Sequence, residues 1–280
     1  TQNNGPLDPT EEMVLAESLT AEQEKKAGRN SSEERVLVIG HLETAESYDL
    51  AHALTPTSRM VHRAIYDTLV SFPDSDASSI EPNLATSWTV FDDGLAYTFN
   101  LRDDVTFANG DPLTADDVVF SFERMKHVKS NPSFLADPIV DVEAVDDLTV
   151  TVTLVEPRPS FLAEVANLAF SVANDDEVRA AGGTDAEVAA ERDSAREFFD
   201  HNSAGTGPYI LESWTPHEET VLVRNPNYWD EPPHFDRVII VNIPEAATQK
   251  IALESGDIDL ATDLALDQIT TWEDDPSRAI

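Results

Sequence analysis

Residues 84–125 constrain the fold of this 280-residue chain more than any other stretch. Over residues 95–102 apolar and polar side chains alternate strictly, which is typical of a β-strand with one buried face. The turn signal before it, at residues 92–94 (DDG), predicts a hairpin because Asp-Gly tolerates the positive φ of a tight turn. Thr114 is a good N-cap, and Asp117 completes a capping box with Asp in place of Glu, so a helix should follow. The order of these elements predicts mixed α/β structure.

Shorter signals of the same kind predict further elements along the chain. Strands are expected over residues 35–40, 105–107, 139–144, 148–154, 205–214, 221–224, 237–243 and 257–260. Helices are expected over residues 57–70, 161–168 and 244–254, and a charged, solvated helical region over residues 175–200. Strands and helices are therefore mixed throughout the chain.

Several of these elements carry residues that resemble one family. The motifs are residues 92–102 (DDGLAYTFNLR), 109–122 (NGDPLTADDVVFSF), 205–209 (GTGPY), 224–229 (RNPNYW) and 254–260 (ESGDIDL). In this order they resemble the signature of the peptide/nickel class of ABC-transporter solute-binding proteins. Asp104 stands where that class usually has Gly, and we expect only a local change of turn there. The resemblance extends over residues 36–263.

The resemblance implies a large, three-domain, type II periplasmic-binding-protein-like fold of the mixed α/β class, with the C-terminal lobe missing. Residues 35–56 and 204–280 are then expected to form domain I, which is part of the first lobe. Residues 57–203 are expected to form an inserted, β-rich domain II. Residues 1–34 are polar, and we interpret them as a flexible tether. Whether the chain naturally ends at Ile280 is left open by the sequence.

The resemblance also implies where a ligand would lie. The family's chain passes its ligand in the loop after the first strand, has an aromatic residue nearby, and approaches the ligand and the hinge beyond the last motif. The corresponding residues here are Leu54, Thr55, Pro56, Phe134, Thr262 and Asp263. An ordinary surface loop, a core aromatic and an exposed charge are the alternatives for these positions.

Acidic residues dominate the charge of the chain. There are 54 Asp and Glu against 18 Lys and Arg, for a formal net charge of −36. This charge strongly disfavours binding of nucleic acid through phosphate neutralisation, so no nucleic-acid partner is expected. At low salt such a surface repels itself, whereas at 1 M salt the Debye length is only about 3 Å. We interpret the composition as that of a halophilic, archaeal protein, with an ordinary acidic secreted protein as the alternative.

The resemblance implies a receptor rather than an enzyme. It would be an extracytoplasmic, monomeric, membrane-tethered protein that captures a small solute between two lobes and delivers it to an ABC permease. Short peptides are the expected solute, with nickel chelates and oligosaccharides left open. The seven His residues are scattered without metal-ligand spacing and there is no Cys, so no catalytic residue, resident metal or cofactor is expected. The alternative is a stand-alone half-receptor that serves as an interaction or docking protein.

Overall fold

The computed structural model describes residues 34–73, 76, 78–91 and 94–270. The predicted tether and part of the predicted turn at residues 92–94 therefore lie outside the described residues.

The strands are β1 Val36–His41, β2 Val70–Ser71, β3 Glu81–Pro82, β4 Ala85–Phe91, β5 Ala96–Leu101, β6 Ile139–Asp146, β7 Thr149–Leu154, β8 Tyr209–Thr215, β9 Glu219–Arg224, β10 Arg237–Asn242 and β11 Leu260–Ala261.

Helices of varied length connect these strands. They are α1 Pro56–Ile65, α2 Ala115–Val128, α3 Phe161–Val165, α4 Asp175–Ala180, α5 Ala189–Arg192, α6 Arg196–His201, α7 Ala246–Ser255 and α8 Leu266–Ile269. Short 3-10 helices cover Asn131–Ala136 and Leu168–Phe170. The predicted mixed α/β class is confirmed by this arrangement.

A four-stranded antiparallel sheet contains the stretch that most constrains the sequence. Its strand order is β4-β5-β7-β6, and both predicted hairpins lie in it. The alternation in β5 sets its buried face, because Tyr97 and Phe99 are buried beside Val152 and Val150 of β7. The side chains of Val118 and Phe122 from α2 belong to the same core. Every second side chain of β5 faces this core, which explains why apolar and polar residues alternate strictly over residues 95–102.

The second large sheet has five strands in the order β11-β1-β10-β9-β8. β1 pairs in parallel with β10 and β11, whereas β10, β9 and β8 pair antiparallel. Val61 and Ile65 of α1 pack into its core together with Ile39 and Leu222. The parallel pairs place the carboxyl ends of β1, β10 and β11 along one edge of the sheet, where α1 begins nearby.

The end of α1 differs from the prediction of a helix over residues 57–70. The helix ends at Ile65, and the backbone of Tyr66 is extended. The N–H of Gly207 donates to the Ile65 carbonyl at 2.9 Å. A Cβ at Gly205 would lie 2.1 Å from that oxygen, and one at Gly207 would lie 2.7 Å from it. The two glycines of the GTGPY motif are therefore needed for close backbone approach, which terminates the helix.

A buried carboxyl group ties three distant motifs together just after α1. Asp67 accepts hydrogen bonds from the Thr206 hydroxyl at 2.8 Å and from the indole N–H of Trp229 at 3.2 Å. The Asn83 amide donates to its other oxygen at 3.4 Å. Burial raises the pKa of Asp67 although these donors oppose the shift. The GTGPY and RNPNYW motifs are thus structural partners in the fold.

The predicted strand over residues 105–107 is reduced to one bridge between Thr106 and Pro112. The side chains of Val105 and Phe107 are nevertheless buried, so the apolar pattern indicates burial rather than sheet pairing.

Asp104 stands where the resembled family usually has Gly. Its carboxylate accepts two hydrogen bonds from the Arg102 guanidinium, each at 2.8 Å. The expectation that only the turn differs from the family there stays a prediction.

His62 anchors the buried face of α1. Its Nε2 lies 3.0 Å from the Tyr48 carbonyl oxygen, and its ring packs edge-on to Tyr66. Burial lowers the pKa of His62 from 6.5 to about 4, although the Tyr48 carbonyl and Asp49 favour the charged ring. The native fold therefore requires the neutral imidazole.

The pH dependence of unfolding should report this requirement. Because the unfolded chain binds the proton first, the contribution of His62 is complete above pH 6.5 and is lost as the pH falls towards 4. The expected loss is about 1.4 kcal/mol per pH unit across that window. His62→Gln keeps a donor for Tyr48 and does not titrate, so the difference between the urea unfolding free energies of wild type and variant should change with this slope. Parallel pH curves for the two proteins would contradict the prediction.

Candidate functional site

The predicted ligand loop leads directly into α1. Thr55 is the N-cap, and its side-chain oxygen lies 2.9 Å from the Ser58 hydroxyl and 3.3 Å from the Ser58 N–H. Pro56 occupies the first turn, where its fixed φ suits the helix and its missing N–H costs nothing. Leu54 packs against the core of the four-stranded sheet. Thr55 therefore has a structural role, and Pro56 is exposed at the surface.

A cavity of about 110 Å³ adjoins this loop. Leu54 and Thr55 line it from one side, and Ser130 and Asn131 line it from the 3-10 helix that follows α2. Phe134 belongs to the same 3-10 helix and is 58% exposed. The structure thus brings the predicted loop to the segment that carries the predicted aromatic residue. The open position of Phe134 also excludes the alternative that it is a core residue.

Thr262 and Asp263 lie at the carboxyl end of β11, next to the end of β1. His41 of β1 is buried, and its Nδ1 lies 2.7 Å from the Thr262 hydroxyl and 3.1 Å from an Asp263 carboxylate oxygen. Asp263 also accepts the Leu42 N–H at 2.9 Å. Burial opposes ionisation, but the Thr262 hydroxyl, the Leu42 N–H and His41 hold the pKa of Asp263 below its usual range.

His41 connects the two predicted groups of residues. Its Nε2 lies 3.0 Å from the Thr57 hydroxyl in the first turn of α1, directly after Pro56. The residues beyond β11 and the loop before α1 therefore meet through His41. Ligand sites in open α/β sheets lie beyond the carboxyl ends of parallel strands. The position of His41 at the end of a predicted strand was therefore a signal in the sequence, although none of the family motifs includes this residue. The role of the six predicted residues in binding stays a prediction.

A buried ion cluster holds the loop in place. The Arg124 guanidinium donates to both carboxylate oxygens of Asp49, at 2.7 and 2.8 Å, and to both of Asp193, at 2.8 Å each. Asp49 also lies 3.0 Å from the Nδ1 of His52, a residue that lines the cavity. Burial works against ionisation, but Arg124 and His52 hold the pKa of Asp49 well below its usual range. The cluster fixes the loop to α2 and to the chain before α6.

Two types of site are absent from the described part of the chain. No helix between residues 34 and 270 is long and apolar enough to cross a membrane, within the ranges described. Over the same residues, no three His, Asp or Glu side chains are grouped so that they could hold a metal ion. Hydrogen-bonding side chains surround the small cavity beside the loop, and this arrangement suits non-covalent recognition.

Comparison with known proteins gives a consistent result. The family model described as bacterial extracellular solute-binding proteins, family 5 Middle, matches residues 79–280. The chain is 35% identical over 237 residues to the probable D,D-dipeptide-binding periplasmic protein of Escherichia coli, covering 84% of this chain and 44% of the relative. It is 34% identical over 214 residues to the nickel-binding periplasmic protein of the same organism, covering 75% of this chain and 38% of the relative.

A solved structure shares the fold. The ABC transporter-associated periplasmic binding protein from Helicobacter pylori, in complex with the peptide STSA, matches with a TM-score of 0.74 and 30% sequence identity. The match covers 87% of this chain and 50% of that chain. The present chain therefore spans half or less of the length of these proteins.

The importance of the ion cluster can be tested through Arg124. Arg124→Met leaves two buried carboxylates without their cation, which should lower the free energy of unfolding by about 3–5 kcal/mol. Arg192→Met, at an exposed position on α5, is the matched control and should change it by less than about 0.5 kcal/mol. Urea unfolding at constant salt and neutral pH measures both. Equal effects of the two substitutions would show that the cluster does not hold the fold together.

Proposed function

The chain belongs to family 5 of the bacterial extracellular solute-binding proteins, and we propose that it captures a small solute as part of an ABC importer. Its mixed α/β fold is the periplasmic-binding-protein-like fold of that family. The observation that carries the proposal is the family match over residues 79–280, which includes the strands β10 and β11 and the cavity residues Ser130, Asn131 and Arg196. The proposed function is binding and delivery, without catalysis.

The proposed mechanism requires a second lobe that closes on the first. In this proposal residues 35–56 and 204–280 form domain I, residues 57–203 form domain II, and further chain supplies the other lobe. The surface that the other lobe would cover carries the loop before α1 and the residues after β11. Closure would remove the solute from water, and only the closed form would be recognised by the permease, so binding shifts a population between two states.

Short peptides are the solute that we propose. The name of one E. coli relative specifies a D,D-dipeptide, and the H. pylori structure contains a peptide. The nickel-binding relative makes a metal chelate the main competing solute. A peptide offers backbone donors and acceptors, and the hydroxyl and amide groups of Ser130 and Asn131 at the cavity suit such a ligand.

The proposed location is outside the cytoplasm. The E. coli relatives are periplasmic by name. We further propose that the protein is a monomer tethered to the cell surface by residues 1–34, and that a membrane permease of the ABC class receives the solute. A halophilic, archaeal source is proposed from the net charge of −36 alone.

The salt dependence of the fold tests the proposed halophilic origin. Self-repulsion of the acidic surface grows as the Debye length rises from about 3 Å at 1 M salt to about 10 Å at 0.1 M. We therefore expect the fold to loosen below about 0.5 M salt, with loss of the near-UV circular dichroism signal. A spectrum that is unchanged down to millimolar salt would refute this origin.

The proposed peptide site is tested by Phe134. Phe134→Ala in the full-length protein should weaken binding of trialanine about tenfold, since an exposed aromatic side chain at a ligand supplies about 1.4 kcal/mol or more. The unfolding free energy should not change, because the side chain is 58% exposed. Phe91→Ala is the control, because Phe91 is 49% exposed but lies at the end of β4.

Isothermal titration calorimetry measures both variants against wild type. The site at Phe134 is rejected if its variant and the Phe91 variant bind trialanine as tightly as wild type. The peptide proposal as a whole is rejected if wild type does not bind trialanine or any mixture of short peptides.

A further inference from the structure

Acidic residues are distributed unevenly along this chain. They make up 54 of 280 residues, or about one in five, so long stretches without them are unusual. The two longest stretches without Asp or Glu are residues 50–66 and residues 124–136. The first contains the end of the loop before α1 and all of α1. The second contains the end of α2 and the 3-10 helix with Phe134. Two of the chain's five Lys residues, Lys126 and Lys129, lie in the second stretch.

The fold brings these two stretches to one cavity. His52, Thr55 and Ser58 from the first stretch line the 110 Å³ cavity together with Ser130 and Asn131 from the second. The two stretches are far apart in sequence, so their meeting is a property of the fold. The space is large enough for a few water molecules or for one small polar group, since a water occupies about 30 Å³ in the liquid.

Arg196 supplies a cation at the same cavity. In the described part of the chain most arginines pair with a carboxylate: Arg35, Arg102, Arg124, Arg158, Arg179, Arg224 and Arg237. Arg196 has no carboxylate partner among the described residues and donates instead to the backbone carbonyl of Glu46 at 3.2 Å. Arg196 therefore brings to the cavity a guanidinium group that is not neutralised by a carboxylate of the described residues.

Neutral donors are also available beside Arg196. Among the described residues, neither the Ser130 hydroxyl nor the Asn131 amide has a side-chain hydrogen-bond partner. Lys129 directly precedes them and is exposed in the left-handed conformation at the end of α2. The opposing groups are few: Glu46 is the only carboxylate residue in the described lining of the cavity. One N–H of the Arg196 guanidinium donates to the Glu46 carbonyl. The remaining N–H groups of Arg196 are left for another acceptor.

We propose that this cavity binds the carboxylate group of the solute. Arg196 is the ionic partner, and Ser130 and Asn131 donate neutral hydrogen bonds to the same group. A planar guanidinium matches the two oxygens of a carboxylate, and the absence of Asp and Glu from both stretches limits the carboxylate side chains in the described lining to Glu46. This inference rests on the proposed function in that it names the chemical group recognised at the proposed site: a solute that bears a free carboxylate, such as a peptide C-terminus.

The experiment compares Arg196→Gln with Arg192→Gln in the full-length protein. Arg192 is the matched control, because it is an exposed arginine on the neighbouring helix α5 and does not line the cavity. The first probe is trifluoroacetate, whose ¹⁹F line width reports binding of a bare carboxylate. The second is trialanine against trialanine amide, measured by calorimetry. All titrations use the lowest salt at which the circular dichroism spectrum is native, because high salt screens an exposed cation.

Wild type and Arg192→Gln should bind trifluoroacetate with the same affinity, and Arg196→Gln should bind it at least tenfold more weakly. Wild type should also prefer trialanine to its amide at least tenfold, and Arg196→Gln should lose this preference. The carboxylate site would be overturned if wild type did not bind trifluoroacetate. It would also be overturned if Arg196→Gln bound trifluoroacetate as tightly as wild type.

The two proposals fail in different ways. If trialanine and its amide bind equally and both variants behave as wild type, the peptide receptor stands and the carboxylate site is overturned. If trifluoroacetate binds through Arg196 but no peptide binds, the carboxylate site stands and short peptides are rejected as the solute.

Discussion

The conformation of the loop after β1 depends on one buried cation. Arg124 of α2 is 3% exposed and satisfies both oxygens of Asp49 and both of Asp193. Two carboxylates in the interior are tolerated only because this guanidinium lies between them. The loop after β1, the helix α2 and the chain before α6 therefore form one unit. The cavity is lined by His52 of this loop, by Asn131 in the 3-10 helix that follows α2, and by Arg196 at the start of α6, so each part of the cluster leads into its lining.

Local pattern predicts those parts of the fold whose structure is decided locally. The alternation in residues 95–102 and 148–154 identifies two paired strands and their buried faces, because period two follows directly from strand geometry. The end of α1 could not be found in this way. Apolar residues continue at helical spacing to Val70, but the helix is ended at Ile65 by Gly207, which lies far along the chain. Likewise, Val105 and Phe107 have the composition of a strand and are buried without forming one.

The site was less predictable than the fold. Its six candidate residues came from resemblance to a family, and the structure places five of them at the start of α1 and at the end of β11, and Phe134 on the 3-10 helix that follows α2. The ion cluster could not have been inferred, because acidic residues are so frequent that nothing marks Asp49 and Asp193 as the partners of Arg124. The two stretches without acids were visible in the sequence, but only the fold shows that they meet. The carboxylate site that we propose rests on that meeting.

The central claim is that this chain forms one lobe of a receptor that encloses a small solute. Native mass spectrometry of the protein purified from its source at high salt tests it most directly. The chain has a mass of 30.8 kDa. We predict a natural protein of about twice that mass, since the matched relatives are about twice as long as the aligned chain, with a peptide-sized molecule that dissociates on denaturation. A natural protein of the mass of this chain, with no bound small molecule, would contradict the receptor function and favour a docking protein instead.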